Sequence, residues 1–200
     1  MSLLCGKDEN NNIIPVNVDN EGFMWDNLRY WRSQGKCFVA TSDVNTGSTT
    51  TQGILSIVNP SGSTSKIYIY DITIKLSAAF TSSFANLRIF KLSSDPNSGT
   101  TTSGYNLKIG SNDASSVKLR TTIANGNYSG YTNGVIYNRL FRASSSSSDV
   151  EQLIVINLYN EMIELQENTG IIIECSNSST ANIRTNCNVR FMEIPSAQII

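Results

Sequence analysis

Two hundred residues suffice for one sizeable β-sandwich, or for one domain plus an arm. The hydrophobic share is 40% and the charged share only 16%, with a formal net charge of −1, so nothing electrostatic points to nucleic acid or an anionic membrane as partner. Histidine is absent, which removes Ser–His and Cys–His nucleophiles and every histidine-containing metal site in one step.

The N-terminus, "MSLLCGKDENNN", has no basic leader and no long apolar core, so no signal peptide is expected and the chain is expected to fold in a reducing cytoplasm. No run approaches the roughly 18–20 continuous apolar residues of a membrane span. Next comes "IIPVNV" (residues 13–18), an apolar strand that cannot satisfy its own backbone groups and must pair with the sandwich or with another chain. "EGFMWDNLRYWRS" follows and holds both tryptophans; a helix from Asp26 would put Leu28, Trp31 and Arg32 on one side. Trp, Tyr and Arg dominate protein interfaces, so Ile14, Val16, Val18, Phe23, Trp25, Arg29, Tyr30 and Trp31 are the candidate interaction residues. The competing use is a cap on the protein's own core. The division expected is an arm over residues 1–35 and a β-sandwich domain over residues 36–200.

Period-2 patterning dominates after Lys36. Gln52–Val58 is the first strand read from it. In "SKIYIYDITIKL" the set Tyr68, Tyr70, Ile72, Ile74 and Leu76 is expected to face the core, opposite Ile67, Ile69, Asp71, Thr73 and Lys75. "ANLRIFKLS" repeats the alternation, and further strands are expected at Val135–Phe141, Gln152–Leu158, Gly170–Cys175 and Val189–Ile194. "DVEQLIVINLYNEMIELQ" almost fits a helix, but its β-branched centre and Asn160 favour strand, turn, strand. The connections "NPSGSTS", "SSDPNSGTTTSG", "NGNYSGYTNG", "SSSSSD" and "ENTG" are turn chemistry. The pattern therefore predicts an all-β fold: a single jelly-roll-like antiparallel sandwich with an extended N-terminal arm. Cys5, Cys37, Cys175 and Cys187 show no CxxC spacing and read as free thiols, with Cys175–Cys187 the one bridge worth testing.

No phosphate-cradling glycine motif occurs, and no catalytic residue, metal site or cofactor is assigned. Carboxylate-pair glycoside hydrolysis needs no histidine, and candidates such as Glu161, Glu164 and Glu167 sit together, but their spacing suits a solvated turn as well. "SSDPNSG" and "SNDASS" are oxygen-rich but lack the ligand density of a calcium loop. Tyr128 and Tyr131, set among Gly, Ser and Asn, form the candidate surface for a receptor- or glycan-binding module acting through loops; the competing use folds them back on the sandwich.

Two stretches carry a resemblance. "NNNIIPVNVDNEG" and "ILSIVNPSGSTSKIYIYDITI" resemble the opening and the first strand–turn–strand of small tailed-bacteriophage virion-associated β-sandwich proteins, of capsid-decoration, head-fibre or tail-accessory type. "IELQENTGIIIE" and "VRFMEI" resemble their closing strands. The resemblance implies a non-enzymatic structural virion protein, made in the host cytoplasm, that binds neighbouring capsid or tail proteins with the arm as its main assembly element. It implies a homo-oligomer, a trimer by analogy, and a shared tight turn at Asn59, Pro60 and Gly62. It carries no active site.

Overall fold

The structure is a computed structural model and describes residues 3–7, 13–17, 31–32, 34–78, 84–142, 150–159, 161–178 and 181–196. Its strands are β1 (Leu3–Lys7), β2 (Ile13–Asn17), β3 (Cys37–Thr46), β4 (Thr51–Val58), β5 (Ser65–Ala78), β6 (Phe84–Leu92), β7 (Thr100–Thr102), β8 (Tyr105–Asn106), β9 (Lys118–Ala124), β10 (Gly130–Arg142), β11 (Val150–Asn157), β12 (Ile163–Leu165), β13 (Gly170–Asn177) and β14 (Ile183–Pro195). One sheet runs β10–β6–β13–β4–β9–β7; the other runs β11–β5–β14–β3–β8, with β12 on the β5 edge beside β11. All pairings are antiparallel. The two sheets pack face to face as a β-sandwich around Phe38, Leu55, Ile57, Ile72, Ile74, Leu87, Ile89, Ile171, Ile173, Val189 and Phe191.

Among the described residues the apolar "IIPVN" strand does not join either sandwich sheet. It folds back on Leu3–Lys7, with Leu4 opposite Val16 and Gly6 opposite Ile14, as a separate two-stranded sheet. The "DVEQLIVINLYNEMIELQ" segment is strand, turn, strand, as β11 and β12, both laid against β5. β3 and β9 are strands that the alternation did not single out, and β14 starts six residues before Val189.

The expected facing of β5 holds only for its second half. Arg190 pairs with Asp71 while Phe191 pairs with Ile69, so Tyr70 is an extra residue in β5. A bulge of this kind reverses side-chain parity. Ile67 and Ile69 therefore join Ile72, Ile74 and Leu76 in the inner core, and Tyr68 and Tyr70 turn to the outer face. A second bulge sits in β4: Ile173 pairs with Leu55 and Glu174 with Gly53, leaving Ile54 as the extra, fully buried residue.

Cys37, Cys175 and Cys187 are buried free thiols. The Cys175–Cys187 bridge is not formed; the two thiols lie on strands of opposite sheets and both pack in the shared core.

The Asn59–Pro60–Gly62 turn is formed. The Ser63 N–H donates to the Pro60 carbonyl (3.2 Å), and Gly62 takes the left-handed conformation (φ 80°) that a type II turn needs at its third position. Asn59 ties this turn to the one before β13. Its N–H donates to the Thr169 carbonyl (2.9 Å), its carbonyl accepts from Asn168 N–H (2.8 Å), and its fully buried side-chain amide donates to the carbonyls of Ser65 (2.9 Å) and Leu165 (3.1 Å). Asn59→Ala removes the donor to the Leu165 carbonyl, while the Ser65 carbonyl keeps the Ser63 hydroxyl (3.1 Å), and a buried group left unsatisfied costs about 1–3 kcal/mol. Urea denaturation of this variant is expected to show a loss of about 1–3 kcal/mol at unchanged m-value. A loss below about 1 kcal/mol would show that this amide does not hold the two turns together.

Candidate interaction surfaces

The segment leading into β3 ends in a turn that closes a helical pair of residues. Trp31 and Arg32 are helical; Lys36 N–H donates to the Trp31 carbonyl (2.9 Å) and Gly35 N–H to the Arg32 carbonyl (3.0 Å), with Gly35 at φ 70°. This is the Schellman arrangement, and glycine is there because a left-handed residue must close it. The rest of the helix expected from Asp26 lies outside the described residues.

Trp31 is half-buried and packs on the outer face of its own sheet, against a cluster of Cys37, Tyr70, Met192 and Ile194 edged by Tyr68, Leu107, Tyr159 and Met162. Tyr70 and Tyr159 stack there with ring centroids 5.5 Å apart. Burial raises the Tyr70 phenol pKa and pushes the Cys37 thiol up to about 11, partly offset by Arg32. Trp31 is thus packed against the protein's own sandwich.

The connection from β6 to β10 is an insertion that staples this arm root. Asn106 donates its side-chain amide to the Gly35 carbonyl (2.8 Å), Leu107 N–H donates to the Cys37 carbonyl (2.9 Å), and Arg32 Nε donates to the Leu107 carbonyl (3.4 Å). Glu193 fixes the other end of the insertion. Its buried carboxylate accepts from Ser116 N–H (3.0 Å) and the Ser116 hydroxyl (2.9 Å), and from the Ser115 hydroxyl. Ile109, at the tip of a turn closed by Ser111 N–H to the Lys108 carbonyl (3.1 Å), is almost completely exposed.

On the outer face of the other sheet, Tyr128 folds back. Its ring lies 5.7 Å from that of Phe90, beside a buried cluster of Val58, Leu92, Ile123 and Ile172. Its hydroxyl donates to the buried Glu174 carboxylate, which Arg88 also holds, through Nε at 2.8 Å and through Nη2. Burial and the Glu174 carboxylate both raise the phenol pKa. Tyr128 is therefore tied down rather than displayed. Tyr131 lies in β10, and its side chain is outside the described residues.

The three glutamates have separate surroundings. Glu164 pairs with Lys66 (3.0 Å), Glu167 accepts from Gly62 N–H (2.6 Å), and Glu161 is exposed. An open groove of about 420 Å³ lies between Lys91, Gly134, Val135 and Ile136 on one side and Met162, Ile163 and Glu164 on the other, with Glu164 its one carboxylate among the described residues. Asp95, in one of the oxygen-rich loops, gives both oxygens to Arg120 (3.0 and 2.9 Å). Among the described residues no group of three or more Cys, Asp or Glu is placed to hold a metal ion.

Of the expected arm residues, Trp31 has a described side chain; Ile14 and Val16 are placed in β2 by backbone only, and Val18, Phe23, Trp25, Arg29 and Tyr30 lie outside the described residues. No protein-family model matches this chain, and a search of curated proteins gives no match.

The buried thiols give a direct check on this packing. Burial pushes Cys37 and Cys175 up to about 11 and Cys187 higher still, and only the thiolate is nucleophilic. Alkylation by iodoacetamide at pH 8 is expected to leave all three unmodified in the native protein and to label them rapidly in urea. Because the folded pKa values are raised from 9.0, this contribution to stability is complete below pH 9 and is lost as pH rises through about 11. The melting temperature should accordingly fall over that range. Native labelling of Cys187 at pH 8 would contradict the packing.

Proposed function

We propose that the chain is a jelly-roll structural protein of a tailed-bacteriophage virion, without catalytic activity, that binds neighbouring capsid or tail proteins and uses its N-terminal arm as the main assembly element. The jelly-roll reading is supported by the strand order. Within the sandwich, the first strand (β3) pairs with the last (β14), β14 lies between β3 and β5, β13 lies between β4 and β6, and the β5–β11 and β6–β10 pairs form the opposite flank. Jelly rolls serve as capsid and lectin domains, so the topology alone names no function.

The observation that carries the assembly reading is the separation of the N-terminal segment. Among the described residues its two strands pair with each other and with neither sandwich sheet, while Trp31 packs on one outer face of the sandwich. An arm held at its root and self-paired beyond it is shaped to engage another subunit. The phage resemblance of the "NNNIIPVNVDNEG" and "NPSGSTS" stretches supplies the setting: a virion component, made in the host cytoplasm, trimeric by analogy. The loop-based receptor or glycan reading loses Tyr128, whose hydroxyl and ring are both occupied.

Light scattering on the full chain and on a chain beginning at Trp31, which keeps the anchoring ring, tests the arm. Removal of residues 1–30 is expected to lower the number of chains per particle and to leave the melting temperature within about 2 °C, since the anchor and sandwich are intact. An unchanged particle, or a truncated chain that no longer folds, would assign the arm to its own core.

A further inference from the structure

The two flanks of the sandwich are built differently. On one, the sheets end in β7 and β8, strands of three and two residues, and short edges of this kind blunt strand addition. On the other they end in β10 and β11, thirteen and eight residues long. β11 runs against β5 from Val150 to Asn157 without a bulge and contains no Pro, Gly or Lys, so its outer edge is regular, and among the described residues no strand pairs with it.

Exposed apolar side chains concentrate on the same flank. Among the described residues seven large hydrophobics are exposed; Val135, Ile136 and Leu140 lie on β10, Leu153 and Val155 on β11, and the other two are in the insertion. Leu153 is 67% exposed and Val155 58%. Both point away from the core that Ile154 enters, so they form an apolar pair on the outer face of an edge strand.

We infer that this flank is a two-fold interface at which β11 of one copy pairs antiparallel with β11 of a second copy, joining their sheets into one. The sequence of β11 selects the partner and the register. Because opposite residues in a sheet share a face, a two-fold axis perpendicular to the sheet must pass through a residue pair of one chain with itself. Centred on Ile154, it puts Leu153 opposite the second copy's Val155 and the reverse, two apolar cross-strand pairs, and puts Glu151, the one ionisable residue of the strand, opposite neutral Asn157. Shifting the centre to Leu153 sets Glu151 against Val155 instead. The same axis brings the Val135–Leu140 stretch of the two β10 strands toward each other.

The size suffices. Eight paired residues span about 26 Å, and two sheets about 10 Å apart present a flank roughly 20 Å wide. That is about 500 Å² per copy, or about 1,000 Å² in all, the lower bound for a specific interface. This contact is separate from the arm and survives its removal.

The test uses the full chain. Light scattering should give an even number of chains per particle, six where the arm joins subunits in threes, and the double variant L153K/V155K should halve that number with an unchanged melting temperature, because both positions are exposed in the subunit. In a Cys5→Ser background, the double variant L153C/V155C should form intermolecular disulfides on mild oxidation, since each new thiol faces its opposite number across the axis, whereas L153C alone should not. A monomeric wild type, an odd-numbered particle, an L153K/V155K variant of full size, or a failure to cross-link overturns the proposal. So does cross-linking by L153C alone, which would place the axis at Leu153.

Discussion

The architecture turns on one constraint: each sheet is apolar on both faces. β13 reads "GIIIECSN" and is buried along nearly its whole length, with Ile171, Ile173 and Cys175 in the inner core and Ile172 on the outer face beside Val58, Leu92 and Ile123. The other sheet carries Tyr70, Met192 and Ile194 outside. A sandwich with dry outer patches needs covers on both sides. Exposing a single side chain of this size forfeits about 1.5–3 kcal/mol.

The covers explain features that otherwise look unrelated. Trp31, Leu107 and Tyr159 close the outer patch of one sheet, and the Schellman turn at Gly35 aims the tryptophan at it. Tyr128 and Phe90 close the other, and the Glu174–Arg88 pair beneath them fixes the tyrosine by its hydroxyl. A buried carboxylate is costly unless its oxygens are satisfied, and here both are, by a guanidinium and a phenol. Glu193 follows the same logic, taking three donors from Ser115 and Ser116 to seat the insertion.

The sequence revealed these elements unevenly, for physical reasons. Strands with β-branched cores such as "QGILSIV" and "LIVI" were legible because their hydrophobicity alternates or runs unbroken. β3, "CFVATSDVNT", was not, since its inward positions include Ala40, Ser42 and Thr46, small or polar residues that give period-2 patterning little contrast. The facing of β5 was misread because one bulged residue, Tyr70, reverses parity, and nothing local in "IYIYDI" marks where the partner strand will skip. Of the interaction surface, the arm's aromatics stood out by composition, but the anchoring of Trp31 depends on β5, β14 and the insertion, more than thirty residues away in sequence.

Leu153 and Val155 were the hardest to find, although their strand was read correctly. In "VEQLIVIN" all four apolar centre residues look like core, and an interior strand would bury all four. Only the sheet order makes β11 an edge, and only then do Leu153 and Val155 become surface while Ile154 stays inside. A strand with the composition of an interior one, placed at an edge, satisfies its local sequence when another strand covers it. In this sandwich the opposite flank meets the same demand within one chain, by the short strands of the insertion; the β10–β11 flank has no such segment among the described residues. The inferred self-association is placed on the β10–β11 flank because of this asymmetry.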